Sequence, residues 1–173
     1  MKVLRITVKR EEDPHSDISH LGTYSHEPRE GCIDRAKHAD EGAPVGAFGY
    51  RYFIPTNHVP YNAGDWEHVT GKALAAVIKE FGSTVKAAES YALQDYERAE
   101  AWNRGAWCMV GVVAVAEVEV NGARQTIKSP GLWGIESDSG EDHFKEVGEE
   151  QLSELRAILR ELGFKRIPRA VGV

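Results

Sequence analysis

Residues 107–120, WCMVGVVAVAEVEV, form the pattern that most constrains the fold of this chain. Every even position in this stretch is apolar, while the odd positions change from mostly apolar to acidic at Glu117 and Glu119. Alternation with a period of two is typical of a β-strand, whose side chains point to opposite faces of a sheet. The stretch is therefore predicted to be a long strand with one face buried throughout, while the other face leaves the core near residue 117.

A hairpin is predicted directly after this strand. Asn121 and Gly122 accept the positive φ angles of a type I′ turn, which joins two antiparallel strands through two residues. The return strand is predicted over residues 123–128. This register places Glu119 opposite Arg124, a cross-strand pair of opposite charge that contributes about 0.2–1 kcal/mol.

Shorter patterns predict the other elements. Ser83 is a good capping residue for the start of a helix, and Gly82 is suited to the end of the helix before it. Gly163 and Phe164 have the residue types of a Schellman-type end for the last helix. The periodicities predict strands over about residues 3–9, 50–54 and 132–135, and helices over about residues 74–81, 83–104 and 144–162.

These elements predict a single α+β domain over residues 1–173, in which an antiparallel sheet of about four or five strands carries about three helices mainly on one face. Residues 10–49 fall outside this plan because their prolines, glycines and charges follow no period. A connection of that length is uncommon inside a compact domain. We therefore predict a long irregular N-terminal segment that is loop-rich or partly disordered.

Composition disfavours several classes of protein. The formal net charge of −6 disfavours direct nucleic-acid binding, since such binding neutralises phosphates with basic residues. The chain lacks the apolar run of a signal peptide or a membrane span, and its two cysteines are too few for a disulfide framework. We expect a cytoplasmic protein with no membrane partner and no cofactor. The basic residues near the C-terminus, which are expected to complement the dipole of the last helix, are Arg160, Lys165, Arg166 and Arg169.

Acidic residues are concentrated around the start of the last helix, and two interpretations are open. Carboxylates in a first turn complement the helix dipole, and later ones line the solvated face. Alternatively, they form a docking surface for a basic protein. The six carboxylates from Glu141 to Glu154 are about half as dense as the phosphates of duplex DNA, so full imitation of a duplex is not expected. The residues are Glu136, Asp138, Glu141, Asp142, Glu146, Glu149, Glu150 and Glu154.

Aromatic residues near charged ones provide a second candidate for partner binding. Tyr91, Asp95, Arg98 and Trp102 follow one another at helical spacing and form a stripe beside the small residues of the second predicted helix. Trp133 lies between two glycines just before the acidic stretch. Tyr, Trp and Arg are the residue types of interaction hot spots, but they are also ordinary at the boundary of a core. Both interpretations of the stripe stay open.

Histidines in the irregular segment suggest an alternative. His15, His20 and His26 occur among aspartates, and His58 follows a predicted strand end, where functional groups often lie. Imidazole and carboxylate groups together bind zinc and other divalent ions, although these spacings match no defined metal motif. A metal-assisted hydrolase or nuclease is therefore the alternative function. Cys32 is a weak candidate for a nucleophile because no adjacent base is identifiable.

Three segments, YRYFIPTNHVP, DYERAEAWNRGAWCMVGVVAVAEVEV and GLWGIESDSGEDHF, resemble small proteins of unassigned role encoded by bacteriophages and prophages. The resemblance covers about residues 48–163 and implies a mobile-element setting inside a bacterial host cell. In that setting, small acidic proteins often block host complexes, as anti-CRISPR and anti-restriction proteins do. The sequence thus predicts an interaction protein that inhibits or modulates a nucleic-acid-handling or defence complex with a basic surface; a homodimer is a further predicted assembly.

Overall fold

The computed structural model describes residues 1–38, 49–56 and 71–171, with the side chains of 71–74 outside the description. The chain divides into two compact units, unit 1 (Met1–Ser16 and Trp107–Val173) and unit 2 (Asp17–Ala106). The prediction of a single domain stays a prediction. In chain order the elements are β1 (Lys2–Glu12), β2 (Gly22–Ser25), β3 (Ile33–Asp34), β4 (Tyr52–Pro55), α1 (Gly71–Phe81), α2 (Thr84–Asn103), β5 (Met109–Val120), β6 (Ala123–Lys128), β7 (Leu132–Glu136) and α3 (Glu141–Glu161).

Unit 1 is an antiparallel sheet built around the long strand β5. β1 pairs along one edge of β5, while β6 and β7 pair with successive parts of its other edge. The even residues of β5, such as Ala116 and Val118, are fully buried beneath Leu155 and Leu159 of α3. The buried face predicted from the alternation is therefore the face that α3 covers.

The two chain reversals predicted in unit 1 are confirmed. Asn121 and Gly122 have φ angles of 52° and 80°, and Glu119 lies opposite Arg124 in the hairpin register. The end of α3 is a Schellman motif, in which the Phe164 N–H donates to the Leu159 carbonyl at 3.0 Å and the Gly163 N–H donates to the Arg160 carbonyl at 2.9 Å. Both reversals depend on a glycine with positive φ.

Unit 2 combines a small antiparallel sheet, in the order β2-β4-β3, with the helices α1 and α2. The prediction that Ser83 caps α2 is confirmed, because its side chain accepts a hydrogen bond from the Lys86 N–H. The small residues Ala88, Ala92 and Ala99 are buried together with Tyr96 on one side of α2. Val85 is 47% exposed and lies outside this buried side.

The α+β class is confirmed, with a four-stranded antiparallel sheet and three helices among the described residues. Of these helices, α3 covers the main sheet, whereas α1 and α2 belong to unit 2. The segment predicted to be irregular over residues 10–49 contains several short regular elements where the structure describes it, with loops between them. β1 continues to Glu12, and β2, β3 and a short 3₁₀ helix (Arg35–Lys37) follow. Their pairing partners are distant in sequence, so no local period marks them.

Candidate functional site

One side of α3 is buried and holds the helix against the sheet of unit 1. Phe144, Leu155 and Leu159 are buried on this side. Gln151 adds a polar anchor, because its Oε1 accepts a hydrogen bond from the backbone N–H of Gly131 at 2.9 Å. Since a helix turns once every 3.6 residues, the side of α3 opposite these residues points away from the sheet.

The outward side of α3 carries carboxylates at a constant spacing of four residues. Asp142, Glu146, Glu150 and Glu154, called here the acidic ladder, are all exposed, as is the neighbouring Glu149. At about 1.5 Å per residue, the ladder is about 18 Å long. Within the described part of the chain, none of its four carboxylates forms an ion pair. The ladder is therefore a row of unneutralised negative charge on a rigid support.

The acidic ladder is unfavourable for the helix that carries it. Like charges at i, i+4 destabilise a helix by about 0.2–0.5 kcal/mol per pair, so its three consecutive pairs together cost about 1 kcal/mol. The helix dipole stabilises negative charge within the first turn, which includes Asp142 but not Glu150 or Glu154. The ladder therefore extends beyond what the start of a helix requires. Departures of this kind from local rules are typical of functional sites.

The charge of Glu141 is neutralised by an ion pair with Arg10, unlike the charges of the acidic ladder. Arg10 donates from Nη1 to Glu141 Oε1 at 2.9 Å and from Nη2 to Oε2 at 2.5 Å, and its guanidinium lies 3.8 Å from the centroid of the Phe144 ring. These hydrogen bonds from Arg10 hold the pKa of the Glu141 carboxyl below its ordinary value. The pair also raises the pKa of Arg10. Glu141 therefore adds little net negative charge to the outward surface.

Glu136 and Asp138 also differ from the ladder residues. Glu136 is half-buried at the end of β7, and Asp138 is exposed in the turn that leads to α3. Both take part in interactions within the protein. Of the acidic residues predicted to bind a partner, the structure thus presents Asp142, Glu146, Glu149 and Glu150 as one outward row, together with Glu154.

Trp133 lies on the other face of the sheet from α3. Val112 packs with Phe144 on the α3 side, so the neighbouring Gly111 faces the opposite side of β5. The indole of Trp133 rests on Gly111, where any side chain would overlap the ring. Its Nε1 donates to the Pro130 carbonyl at 3.1 Å, and the residue is 42% exposed. Trp133 and the acidic ladder therefore do not form one continuous surface.

The stripe predicted on the second helix lies in unit 2. Tyr91, Asp95, Arg98 and Trp102 are all half-buried on α2, and each takes part in an interaction within the protein. The Tyr91 ring, for example, lies 5.5 Å from the Phe81 ring, measured between centroids. These contacts match the boundary interpretation that the sequence left open. The interface interpretation of the stripe stays a prediction.

Sequence reasoning missed a buried polar cluster in unit 2. Arg35 is only 2% exposed; its Nη1 donates to the Tyr50 carbonyl at 2.6 Å and its Nη2 to Glu100 Oε1 at 2.7 Å. Tyr24 also donates to Glu100 Oε1, at 3.0 Å, and accepts from Asn103 Nδ2 at 2.6 Å. No sequence signal connects these residues, since Glu100 lies 65 positions after Arg35.

The raised pKa values of two tyrosines indicate that this cluster has a structural role. Burial, followed by the negative charge of Glu100, raises the pKa of the Tyr24 hydroxyl well above its ordinary value. Burial likewise raises the pKa of Tyr96 nearby. A tyrosine whose pKa is raised keeps its proton at neutral pH and is a poor general base. The cluster therefore ties β2 and the 3₁₀ helix to α2 rather than forming a reactive centre.

The predicted metal ligands are dispersed where the structure describes them. His15, His20 and His26 are exposed, and the His26 ring lies 4.4 Å from the Tyr50 ring, measured between centroids. His58 lies outside the described residues. Within residues 1–38, 49–56 and 71–171, no three His, Cys, Asp or Glu side chains gather as they do around a metal ion. The metal-assisted alternative therefore receives no support from these residues.

Comparisons with models of protein families, with curated proteins and with solved structures find no match for this chain. None of the helices in the described ranges combines the length and the apolar character needed to cross a membrane. The arrangement of α3 is thus the main evidence on function.

Proposed function

We propose that this protein is a non-enzymatic interaction protein that binds a basic surface of a partner protein through the acidic ladder of α3. The observation that carries the proposal is the row of four exposed carboxylates at i, i+4 spacing, without ion pairs in the described part of the chain. The carboxylates of this row repel one another and destabilise the helix that carries them. A partner's lysines and arginines relieve that repulsion, so the ladder gains more from binding than isolated carboxylates do.

The support of the ladder suits this role. The apolar side of α3 is packed in the core of unit 1, with Leu155 and Leu159 at 0% exposure. The ladder therefore keeps its geometry before binding, and little backbone entropy is lost in the complex. Complementary charge also attracts the partner over distance and raises the association rate more than the affinity.

The resemblance to phage and prophage proteins leads us to propose a host complex that handles nucleic acid or defends the cell as the partner. Grooves that hold nucleic acid are lined with lysine and arginine, which supplies the required surface. The ladder offers about one carboxylate per 6 Å of helix, whereas duplex DNA offers one phosphate per about 1.7 Å. We therefore propose that inhibition combines partial charge matching with steric occupation of the groove by α3.

Charge reversal of the ladder tests the proposal. The tagged protein is used to capture partners from a bacterial host lysate, beside the variant E146K/E150K/E154K. We expect the variant to lose a partner that the native protein captures, because each new lysine repels a basic surface. The partner is then purified, and its association rate with the native protein is expected to fall steeply as ionic strength rises.

The matched control is E30K/E80K/E97K, which changes the net charge equally at three exposed glutamates of unit 2. We expect this control to capture the partner as the native protein does. Equal capture by the ladder variant, or equal loss in both variants, would contradict the proposal. Melting temperatures of all three proteins show whether any loss reflects unfolding.

A further inference from the structure

A surface of opposite sign follows the end of α3 in unit 1. The chain after Gly163 forms no helix or strand up to residue 171, and every third residue of it packs against the core: Phe164, Ile167 and Ala170. The backbone N–H of Val171 donates to the Ile6 carbonyl of β1 at 3.0 Å. The segment is therefore held against unit 1 by regular apolar contacts and by a backbone hydrogen bond.

The residues between these contacts are basic and exposed. Lys165, Arg166 and Arg169 are exposed, and none of them forms an ion pair within the described residues. The expectation that the basic residues complement the dipole of the last helix fits Arg160, which lies in the last turn of α3. For the other three, which follow the last turn of α3, that expectation stays a prediction. Their exposed charges are in addition available to a ligand.

The basic segment forms one wall of a groove. A cavity of about 860 Å³ lies between the start of β1 and the segment; its lining includes Lys2, Lys165 and Arg166. Met1, Val3, Ile167 and Pro168 make the rest of the lining largely apolar. A second recess of about 620 Å³ shares Lys165 with the first and adds Arg160. Among residues 1–38, 49–56 and 71–171, no carboxylate lines either recess, although the strand register places Glu119 opposite Lys2.

We propose that this groove binds an acidic peptide segment with apolar side chains, contributed by a partner protein. Its carboxylates pair with Lys165 and Arg166, since guanidinium and carboxylate form strong charge-assisted hydrogen bonds. Its apolar side chains pack on Ile167 and Pro168, which line the groove. This site is separate from the acidic ladder and has the opposite charge preference.

The lining distinguishes a peptide from a nucleic acid. Proteins that bind single strands present aromatic rings on which bases stack. The aromatic residue in these recesses, Phe164, is only 4% exposed and is packed in the core. A phosphate backbone makes no favourable contact with the apolar lining formed by Met1, Ile167 and Pro168, whereas a peptide with both acidic and apolar side chains contacts both parts of the groove.

Fluorescence anisotropy with defined probes tests this proposal. The first probe is a labelled peptide of four Glu-Glu-Leu repeats; the second replaces each leucine by glycine, and the third is an oligothymidylate of about the same charge. At low salt we expect the leucine peptide to bind the native protein saturably with a Kd below about 1 mM. The glycine peptide and the oligonucleotide are expected to bind at least about tenfold more weakly, a difference of about 1.4 kcal/mol.

Two variants locate the binding. K165E/R166E reverses two exposed groove residues, and K9E/K145E makes the same change in net charge at exposed positions outside the groove lining. We expect the first to weaken binding of the leucine peptide at least about tenfold and the second to leave it nearly unchanged. Circular dichroism melting curves confirm that both variants fold.

Each of three results would overturn the proposal. Absence of saturable peptide binding shows that the groove is not a peptide site. Oligonucleotide binding as tight as that of the leucine peptide shows a phosphate-binding surface instead. Equal weakening by both variants shows an effect of net charge alone. None of these results bears on the acidic ladder, whose test uses other variants.

Discussion

Arg35 is the one charged residue that is buried among those the structure describes. Burying a guanidinium requires that its hydrogen-bond donors find partners, and Arg35 finds two of them in the Tyr50 carbonyl and Glu100. Its Nε has no hydrogen-bond partner. The guanidinium also lies 4.7 Å from the centroid of the Tyr24 ring. This cation–π contact compensates for part of the hydration that the guanidinium loses on burial. The cluster therefore depends on all its members being present.

We predict that R35M destabilises the protein by about 3 kcal/mol, because it leaves the Glu100 carboxylate largely buried without its cation. The double variant R35M/E100L leaves no buried charge and is expected to recover much of this loss. Urea unfolding followed by circular dichroism measures both values. A loss below about 1 kcal/mol in R35M would show that the ion pair contributes little to the fold.

A second prediction concerns the contact of Trp133 with Gly111. A methyl group at position 111 would overlap the indole, so G111A must displace Trp133 from the sheet. We expect a loss of stability of about 1–3 kcal/mol and a change in tryptophan emission. In a W133A background the same substitution meets no ring, and its effect is expected to fall below about 0.5 kcal/mol. An equal loss in both backgrounds would show that Trp133 is not the obstacle.

Contacts between residues that are distant in sequence could not be predicted from local patterns. The hairpin at Asn121 and Gly122 and the helix end at Gly163 were predicted, because their physical causes lie within a few residues. The carboxylate partners of Arg35 and of Arg10, Glu100 and Glu141, lie 65 and 131 positions away. No local period records such contacts, and the internal pairing of Glu141 with Arg10 was missed for that reason.

At the scale of elements, α3 has two sides with different requirements. Its buried side, which includes Leu155 and Leu159, packs against the sheet, as predicted for the last helix as a whole. Its outward side was predicted to be acidic. The sequence did not distinguish the unpaired ladder from Glu141, because that distinction depends on which basic side chains of other elements lie within reach.

We predict that E150K raises the stability of the protein while it weakens binding to a basic partner. The substitution converts two repulsive contacts, with Glu146 and Glu154, into attractive ones and is expected to add about 1 kcal/mol to the free energy of unfolding. Thermal unfolding is expected to shift upward by about 2–4 °C. The control E97K changes an exposed glutamate of α2, outside the ladder. A lower melting temperature for E150K would refute the calculated repulsion.

At the scale of the whole molecule, unit 2 is inserted in chain order between β1 and β5 of unit 1. The points where the chain leaves and rejoins unit 1 are adjacent, because the Asp13 N–H donates to the Met109 carbonyl at 2.9 Å. Adjacent antiparallel strands are commonly joined by loops of two to five residues. The sequence could not show this arrangement, since β1 and β5 have no feature that identifies them as partners.

We predict that replacing residues 17–106 by a short Asn-Gly linker leaves unit 1 able to fold. The pairing of β1 with β5 and the packing of α3 lie within the retained residues. Circular dichroism and amide hydrogen exchange are expected to show protected strands β1 and β5. The same deletion with L155D, which places a charge at a position of 0% exposure, is the unfolded control. Identical behaviour of the two deletions would contradict autonomous folding.

The repulsion along α3 gives dissolved salt two opposed effects on this protein. Counterions screen the ladder, so the isolated protein is expected to become harder to unfold as salt rises from about 50 mM to about 500 mM. The same screening weakens the attraction that draws a basic partner towards it. High salt is therefore expected to make the isolated protein harder to unfold and its proposed complex easier to dissociate.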